Sequence, residues 1–176
     1  MIALLLVALF LPSVNSVNDV GTSISQLTSN DANDWDPSIS GDGSKIAFAS
    51  DVDGDPEVYV VNSDGTELIQ LTSNNATDWF PSISNNGSKI AFESQVDGDS
   101  EICIINFEGT EISQLTSNDA SDSTPSICDD GSKIAFHSNV DGDSEIFVVN
   151  SDGTGLTQLT SNKGNYSFTN IRQDGG

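Results

Sequence analysis

The pentapeptide QLTSN begins at Gln26, Gln70, Gln114 and Gln158, each 44 residues after the last. No other feature limits the fold as much, because a unit of roughly 20–50 residues repeated end to end is the signature of stacked, self-similar structure. On this period DPSISGDGSKIAFAS from Asp36 aligns with FPSISNNGSKIAFES from Phe80 and TPSICDDGSKIAFHS from Thr124. The match runs on through PEVYVVNSDGTE, SEICIINFEGTE and SEIFVVNSDGTG. Each copy holds four short runs suited to strands, PSIS, KIAFAS, EVYVVN and LIQLT in the first, separated by Gly, Asp, Asn and Ser. No helical periodicity competes. Four strands in 44 residues is the size of one propeller blade. The expected class is all-β, a β-propeller of four-stranded antiparallel blades over about 34–73, 78–117 and 122–161.

The frame Pro, Ser, apolar, Ser, two turn residues and Gly, then KIAF, then the DGD turn with its following strand, then DGT and QLT, resembles the TolB-type propeller repeat, a WD-like architecture. The resemblance covers Thr22 to the end. It implies the fold and says little about activity, since propellers host binding, scaffolding and catalysis alike. The Pro usual before the first turn of that repeat is here Gly41, Asn85 and Asp129. TolB-type proteins also carry an α/β domain ahead of the propeller, whereas little separates residue 16 from the first repeat. Propellers typically close with about four to eight blades. Three full blades with partial strands at 22–28 and 167–172 are therefore expected to form an open or truncated propeller that self-associates through its open blade edges.

The first residues, MIALLLVALFLPSVNS, combine an apolar run from Ile2 to Leu11 with Val14 and Ser16 at the spacing of a signal-peptidase site. The run is shorter than the ~20 residues that span a bilayer. Export with cleavage after Ser16 is the expectation, to the periplasm or the cell surface. An oxidising compartment permits a disulfide between Cys103 and Cys128, which occupy different positions in the repeat. The 27 acidic residues face only five basic ones, a net charge of −22 that repels nucleic acid and favours a basic partner.

The acidic VDGD stretches at Asp53–Asp55, Asp97–Asp99 and Asp141–Asp143 fall between the second and third strands, where Asp-Gly pairs reverse a chain. The EF-hand spacing, with Gly at the sixth position and Glu at the twelfth, is not met. A weaker calcium reading joins Asp53, Asp55 and Glu57, Asp97, Asp99 and Glu101, and Asp141, Asp143 and Glu145 into shallow sites with Kd of roughly 10⁻⁴–10⁻³ M. In an up-and-down blade these turns share one face with the linking loops SNDANDWD, SNNATDWF and SNDASDST, so that face is the acidic one. Lys45, Lys89 and Lys133 belong to the other.

Asp34, Asp78 and Asp122 recur at the start of each innermost strand. Either they cap their own loops, as Asp does in turns, or they form a ring at the channel mouth that binds a cation or basic group. Trp35 and Trp79 follow them and either fill the gap between blades or act as stacking platforms; the third copy has Ser123. Catalytic patterns do not emerge. His137 is the only histidine, aligned with Ala49 and Glu93, and no G-x-S-x-G elbow, zinc-spaced cluster or phosphate loop is present. The sequons at Asn75, Asn86 and Asn165 matter only in a host that glycosylates exported proteins. The leading expectation is a non-catalytic exported module presenting its acidic face to a protein or surface polymer. The alternatives are a calcium-dependent glycan-binding module and a propeller piece of a larger enzyme of the prolyl-oligopeptidase type.

Overall fold

The computed structural model describes residues 17–19, 22–96, 98–161 and 171, with side chains from residue 25 onward. The leader expected over 1–16, Asp97 and, apart from Ile171, the strand expected over 167–172 lie outside the described residues. A short hairpin comes first, β1 (Val17–Asp19) against β2 (Thr22–Ile24). The strand expected to run unpaired over 22–28 is thus shorter and already paired. Its equivalents at Gln70 and Gln158 bond to the third strand of their own blade. Residues 22–24 have no such strand among the described residues, and their backbone groups are met by β1 instead.

Each full copy folds as a four-stranded antiparallel meander in chain order. The first comprises β3 (Asp34–Ile39), β4 (Lys45–Ser50), β5 (Glu57–Asn62) and β6 (Ile69–Gln70). The second is β7 (Asp78–Ile83), β8 (Lys89–Val96), β9 (Asp99–Asn106) and β10 (Ile112–Gln114). β11 (Asp122–Ile127), β12 (Lys133–Ser138), β13 (Glu145–Asn150) and β14 (Thr157–Gln158) make the third. The three sheets stand as successive blades of an open propeller, with β3, β7 and β11 neighbouring one another on the inside.

Alternation along the two middle strands explains why blades stack. In KIAF, Ile and Phe point to one face of the sheet and Ala to the other. Ala47, Val58, Val60 and Leu71 of the first blade therefore meet Ile83, Ile90, Phe92, Cys103 and Ile105 of the second. The same small-against-large contact recurs where Ala91, Ile102 and Ile104 meet Ile134, Phe136, Phe147 and Val149. Burying one Ile or Phe side chain is worth about 1.5–3 kcal/mol, so these two cores dominate cohesion.

Polar clips fix the register of the stack. The Ser38 hydroxyl accepts the Ile83 N–H at 3.2 Å, Ser82 accepts Ile127 at 3.1 Å, and Ser126 accepts Ile171 at 3.1 Å. Ile171 thus occupies on the third blade the place that Ile127 occupies on the second. Two of the three lysines of the face opposite the acidic one are also clips, while Lys133 bonds Asn150 of its own blade at 2.7 Å. The Lys45 ammonium lies 3.7 Å from the Phe107 ring centroid in the next blade, and Lys89 reaches Ser151 (2.9 Å) and Gly131 (3.2 Å) in its own next blade.

The turn between first and second strands is built on one acid. The Asp42 carboxylate accepts from the Ser40 hydroxyl (2.6 Å), the Ser44 N–H (2.9 Å) and the Ser44 hydroxyl (2.8 Å), which holds it down at about pKa 2. Gly43 completes the turn at φ 71°. In the third copy Cys128 stands where the others have Ser40 and Ser84, and its thiol donates to Asp130. Cys103 lies inside the core between the first and second blades, and both cysteines are free. The disulfide considered from the sequence is not formed, because each sulfur is committed to a different local role.

The VDGD turns differ between copies. Gly54 donates to the Asp51 carbonyl (3.1 Å) and Gly142 to Asn139 (2.8 Å), giving looped turns in the first and third blades. In the second, β8 and β9 continue until Val96 opposes Asp99, leaving a two-residue connection. The reason lies at the residue that opens the loop. Asp51 and Asn139 fold back to accept the N–H groups of Asn33 (2.8 Å) and Ser121 (2.9 Å), a bond to the linking loop that suits a short side chain. Gln95, one methylene longer, stays in the ladder opposite Ser100.

Candidate functional site

The bonds from Asp51 and Asn139 to Asn33 and Ser121 put the second-strand turns and the linking loops at the same end of the blades. Asp31, Asp34, Asp36 and Asp53 are exposed there in the first repeat, and Asp119, Asp141 and Asp143 in the later ones. Valines stand among them, with Val52 50% and Val140 52% exposed at the turn tips. A polar cleft of about 500 Å³ opens at this end between Val96, Asp99 and Glu101 and the loop carrying Asn118 and Asp119.

The recurring aspartates do not form an accessible ring. Asp34 is exposed and accepts the Thr28 hydroxyl at 2.6 Å, but Asp78 and Asp122 are 0% and 1% exposed. Asp78 accepts from Ser94 (2.5 Å) and the Asn74 amide (3.0 Å), and Asp122 from the Asn118 amide (2.8 Å). The capping geometry accounts for the second and third copies. The first differs because Thr28, whose equivalents Thr116 and Thr160 donate to Glu101 and Glu145, turns to Asp34 instead.

Among the described residues the calcium ligand sets are not assembled either; Asp97 of the second set lies outside them. Glu57, Glu101 and Glu145 are at most 3% exposed; Glu57 accepts from the Asn74 N–H (2.8 Å) and Glu101 from Thr116 (2.5 Å) in the junctions, and Glu145 from Thr160. Asp53 and Asp141 instead hold the outer-strand glutamines, Gln70 at 2.7 Å and Gln158 at 3.2 Å. Asp55, Asp99 and Asp143 gain no carboxylate partners for a shared ion: among the described residues no group of three or more ligating side chains is placed to hold a metal. Strand alternation is the cause, since it sends the buried Glu away from a turn whose acids face water.

Trp35 and Trp79 do come together. Their ring centroids lie 5.0 Å apart at 60°, and Phe80, 38% exposed, extends the group with its ring 6.4 Å from Trp79. A bulge in each inner strand brings this about. Register shifts between Trp35 and Ser38, and between Trp79 and Ser82, with Asp36 at φ 49° and Phe80 at φ 51°. A left-handed backbone at a non-glycine costs of order 1–3 kcal/mol, and it recurs at Thr124 (φ 49°). On its open side Trp35 borders a largely apolar cavity of about 210 Å³ formed with Leu27, Pro37, Ile46 and Phe48.

Two further residues of this end, aligned with each other in the sequence but given no role there, are buried. Glu93 is buried and accepts the Thr124 N–H of the next blade at 3.4 Å; burial pushes its carboxyl upward, with the Asp36 charge adding to the rise. His137, at the same repeat position, is 6% exposed, and burial depresses its imidazole. The available signal was the break in the repeat, Ala49, Glu93 and His137 at one position and Asp36, Phe80 and Thr124 at another.

Three meanders stacked through their middle strands, with inner strands side by side, define a β-propeller. PD40, the TolB beta propeller domain, matches residues 12–95 and 80–176, and the chain belongs to that family. Among curated proteins no match is found. Similar solved structures include the putative TolB of Agrobacterium tumefaciens, 24% identical with TM-score 0.67 over 74% of this chain and 47% of that one. TolB of Acinetobacter baumannii is 22% identical with TM-score 0.63, over 80% and 35%. Oligogalacturonate lyase of Vibrio parahaemolyticus is 18% identical with TM-score 0.61, over 82% and 46%. The chain thus spans less than half the length of each, and the likeness is one of fold.

Proposed function

We propose that this chain is an exported, non-catalytic propeller module that binds a basic protein or surface polymer at the loop end carrying Trp35 and Trp79. One observation carries the reading: exposed carboxylates at Asp34 and Asp36 flank Trp35, whose indole pairs with that of Trp79, at the loop end that also exposes Asp31 and Asp53, while Lys45 and Lys89 are engaged in contacts between blades. Aromatic faces beside carboxylates favour a cationic group, which gains cation–π attraction and charge pairing together. A lysine-rich peptide is the probe. It should quench tryptophan fluorescence, and Trp35→Ala with Trp79→Ala should weaken its binding at least tenfold. Binding left unchanged in that double variant would move the site elsewhere. Self-association belongs to the same reading. Ile39 is 60% exposed where Ile83 and Ile127 are 6% and 5%, so the leading face of the first blade offers an apolar surface that light scattering would report as dimers.

A further inference from the structure

Each junction between blades encloses a Glu–Asp pair, and the second also holds the buried Glu93 against Thr124 of the next blade. Glu57 begins β5 and Asp78 begins β7, and both are 0% exposed. One asparagine serves the two: the Asn74 N–H donates to Glu57 Oε1 (2.8 Å) and its side-chain amide to Asp78 Oδ2 (3.0 Å). Ser94 donates to Asp78 Oδ1 (2.5 Å); Glu57 Oε2 is buried without a well-formed hydrogen bond, with the Thr72 hydroxyl beside it only partly offsetting the cost of burial. The next junction repeats the arrangement. Asn118 donates its N–H to Glu101 Oε1 (2.9 Å) and its amide to Asp122 Oδ2 (2.8 Å), and Thr116 donates to Glu101 Oε2 (2.5 Å). There the oxygen without a donor is Asp122 Oδ1.

A buried carboxylate oxygen lacking a donor is costly, and two neighbouring carboxylates repel. A proton on one of the pair relieves both. We propose that Glu57 with Asp78, and Glu101 with Asp122, each share one proton, so that successive blades adhere more strongly in acid and loosen as that proton leaves.

The surroundings leave little else to balance the charge. Thr72, Asn74, Ser94 and Ser50 surround the first pair, Tyr59 and Cys103 lie within reach of its charge, and Thr116, Asn118, Ser138 and Asp99 surround the second. Lys45, Lys89 and Lys133 begin the second strands at the opposite end. Burial first, and then the Asp78 charge, push the Glu57 carboxyl up to about 7; Glu101 is raised by burial with Asp122 and Asp99 adding to it. An acid raised in the folded state contributes stability fully present below its unfolded value near 4.5 and lost as pH rises through its folded value. The sensitive window is therefore about pH 5 to 8.

Infrared spectroscopy of the unaltered chain at pH 6 should show the carbonyl band of a protonated carboxylic acid, gone by pH 8.5, and the melting temperature should fall by several degrees over the same interval. Glu57→Gln with Glu101→Gln should remove both the band and most of the slope. Absence of the band in the unaltered chain at pH 6, or a slope unchanged in the double variant, overturns the proposal. So does full recovery of stability at pH 8.5 by calcium that neither magnesium nor sodium chloride of equal ionic strength reproduces, which would put a metal ion where the proton is placed. Glu93, whose carboxyl burial also raises, is separated by Glu93→Gln, which should leave most of the band and slope in place; should the double variant fail to fold, the infrared measurement on Glu93→Gln decides, and loss of the band there overturns the proposal.

Discussion

Single hydroxyls hold the register of one blade on the next. Ser82 accepts the Ile127 N–H at 3.1 Å at the junction, and the donor belongs to a residue only 5% exposed. Ser82→Ala should therefore cost about 1–3 kcal/mol, the penalty of an orphaned buried donor, read as a lower urea midpoint with unchanged m-value. Phe107 offers a cleaner contrast, because its equivalents Ser63 and Ser151 show what the repeat tolerates there. Phe107→Ser should remove both the contact with Lys45 and the packing of the ring against the core of the first two blades, and cost about 1–3 kcal/mol. A calorimetric melt showing no loss would mean the serine recreates the hydroxyl contact that Ser151 makes with Lys89.

At the level of strands, the sequence declares the architecture through its period, but hides whatever depends on side-chain direction. Four strands per copy, the Asp-Gly turns and the common end of the acidic loops all follow from local chemistry repeated three times. The fate of Glu57, Glu101 and Glu145 does not. Adjacent in sequence to the turn acids, they belong to a strand, and the alternation of that strand buries them. Asp78 and Asp122 likewise look identical to Asp34 until the neighbouring blade covers them. The pairing of Trp35 with Trp79 needs a bulge at a non-glycine, for which Asp36, Phe80 and Thr124 give no shared residue type as a signal. Gln95 shows the opposite situation, where one side chain decides a turn. Gln95→Asn should restore the fold-back bond made by Asn139, open the β8–β9 connection into a loop, and speed amide hydrogen exchange at Val96 and Asp99. Protection equal to the unaltered chain would show that the longer ladder is set elsewhere.

Across the whole molecule, charge opposes compactness. The chain carries 27 acidic residues against five basic ones, and its basic side chains at Lys45 and Lys89 are spent on neutral or aromatic partners. Self-repulsion of this size destabilises the folded state and is relieved by any salt, over a Debye length of about 10 Å at 0.1 M. Divalent cations act on the same repulsion, so a calcium effect on stability is expected whether or not a site exists. The geometry separates the two cases: the turn acids Asp53 and Asp141 are occupied by glutamines and their neighbouring glutamates are buried. Calcium and magnesium, each at roughly 10 mM and so above the Kd range of extracellular calcium modules, should raise the melting temperature equally. Sodium chloride adjusted to the same ionic strength should account for most of the rise. An additional calcium-specific gain, surviving in 0.5 M sodium chloride and absent with magnesium, would mean that the exposed loops rearrange to gather ligands, and that the acidic end is a calcium surface and not an electrostatic one.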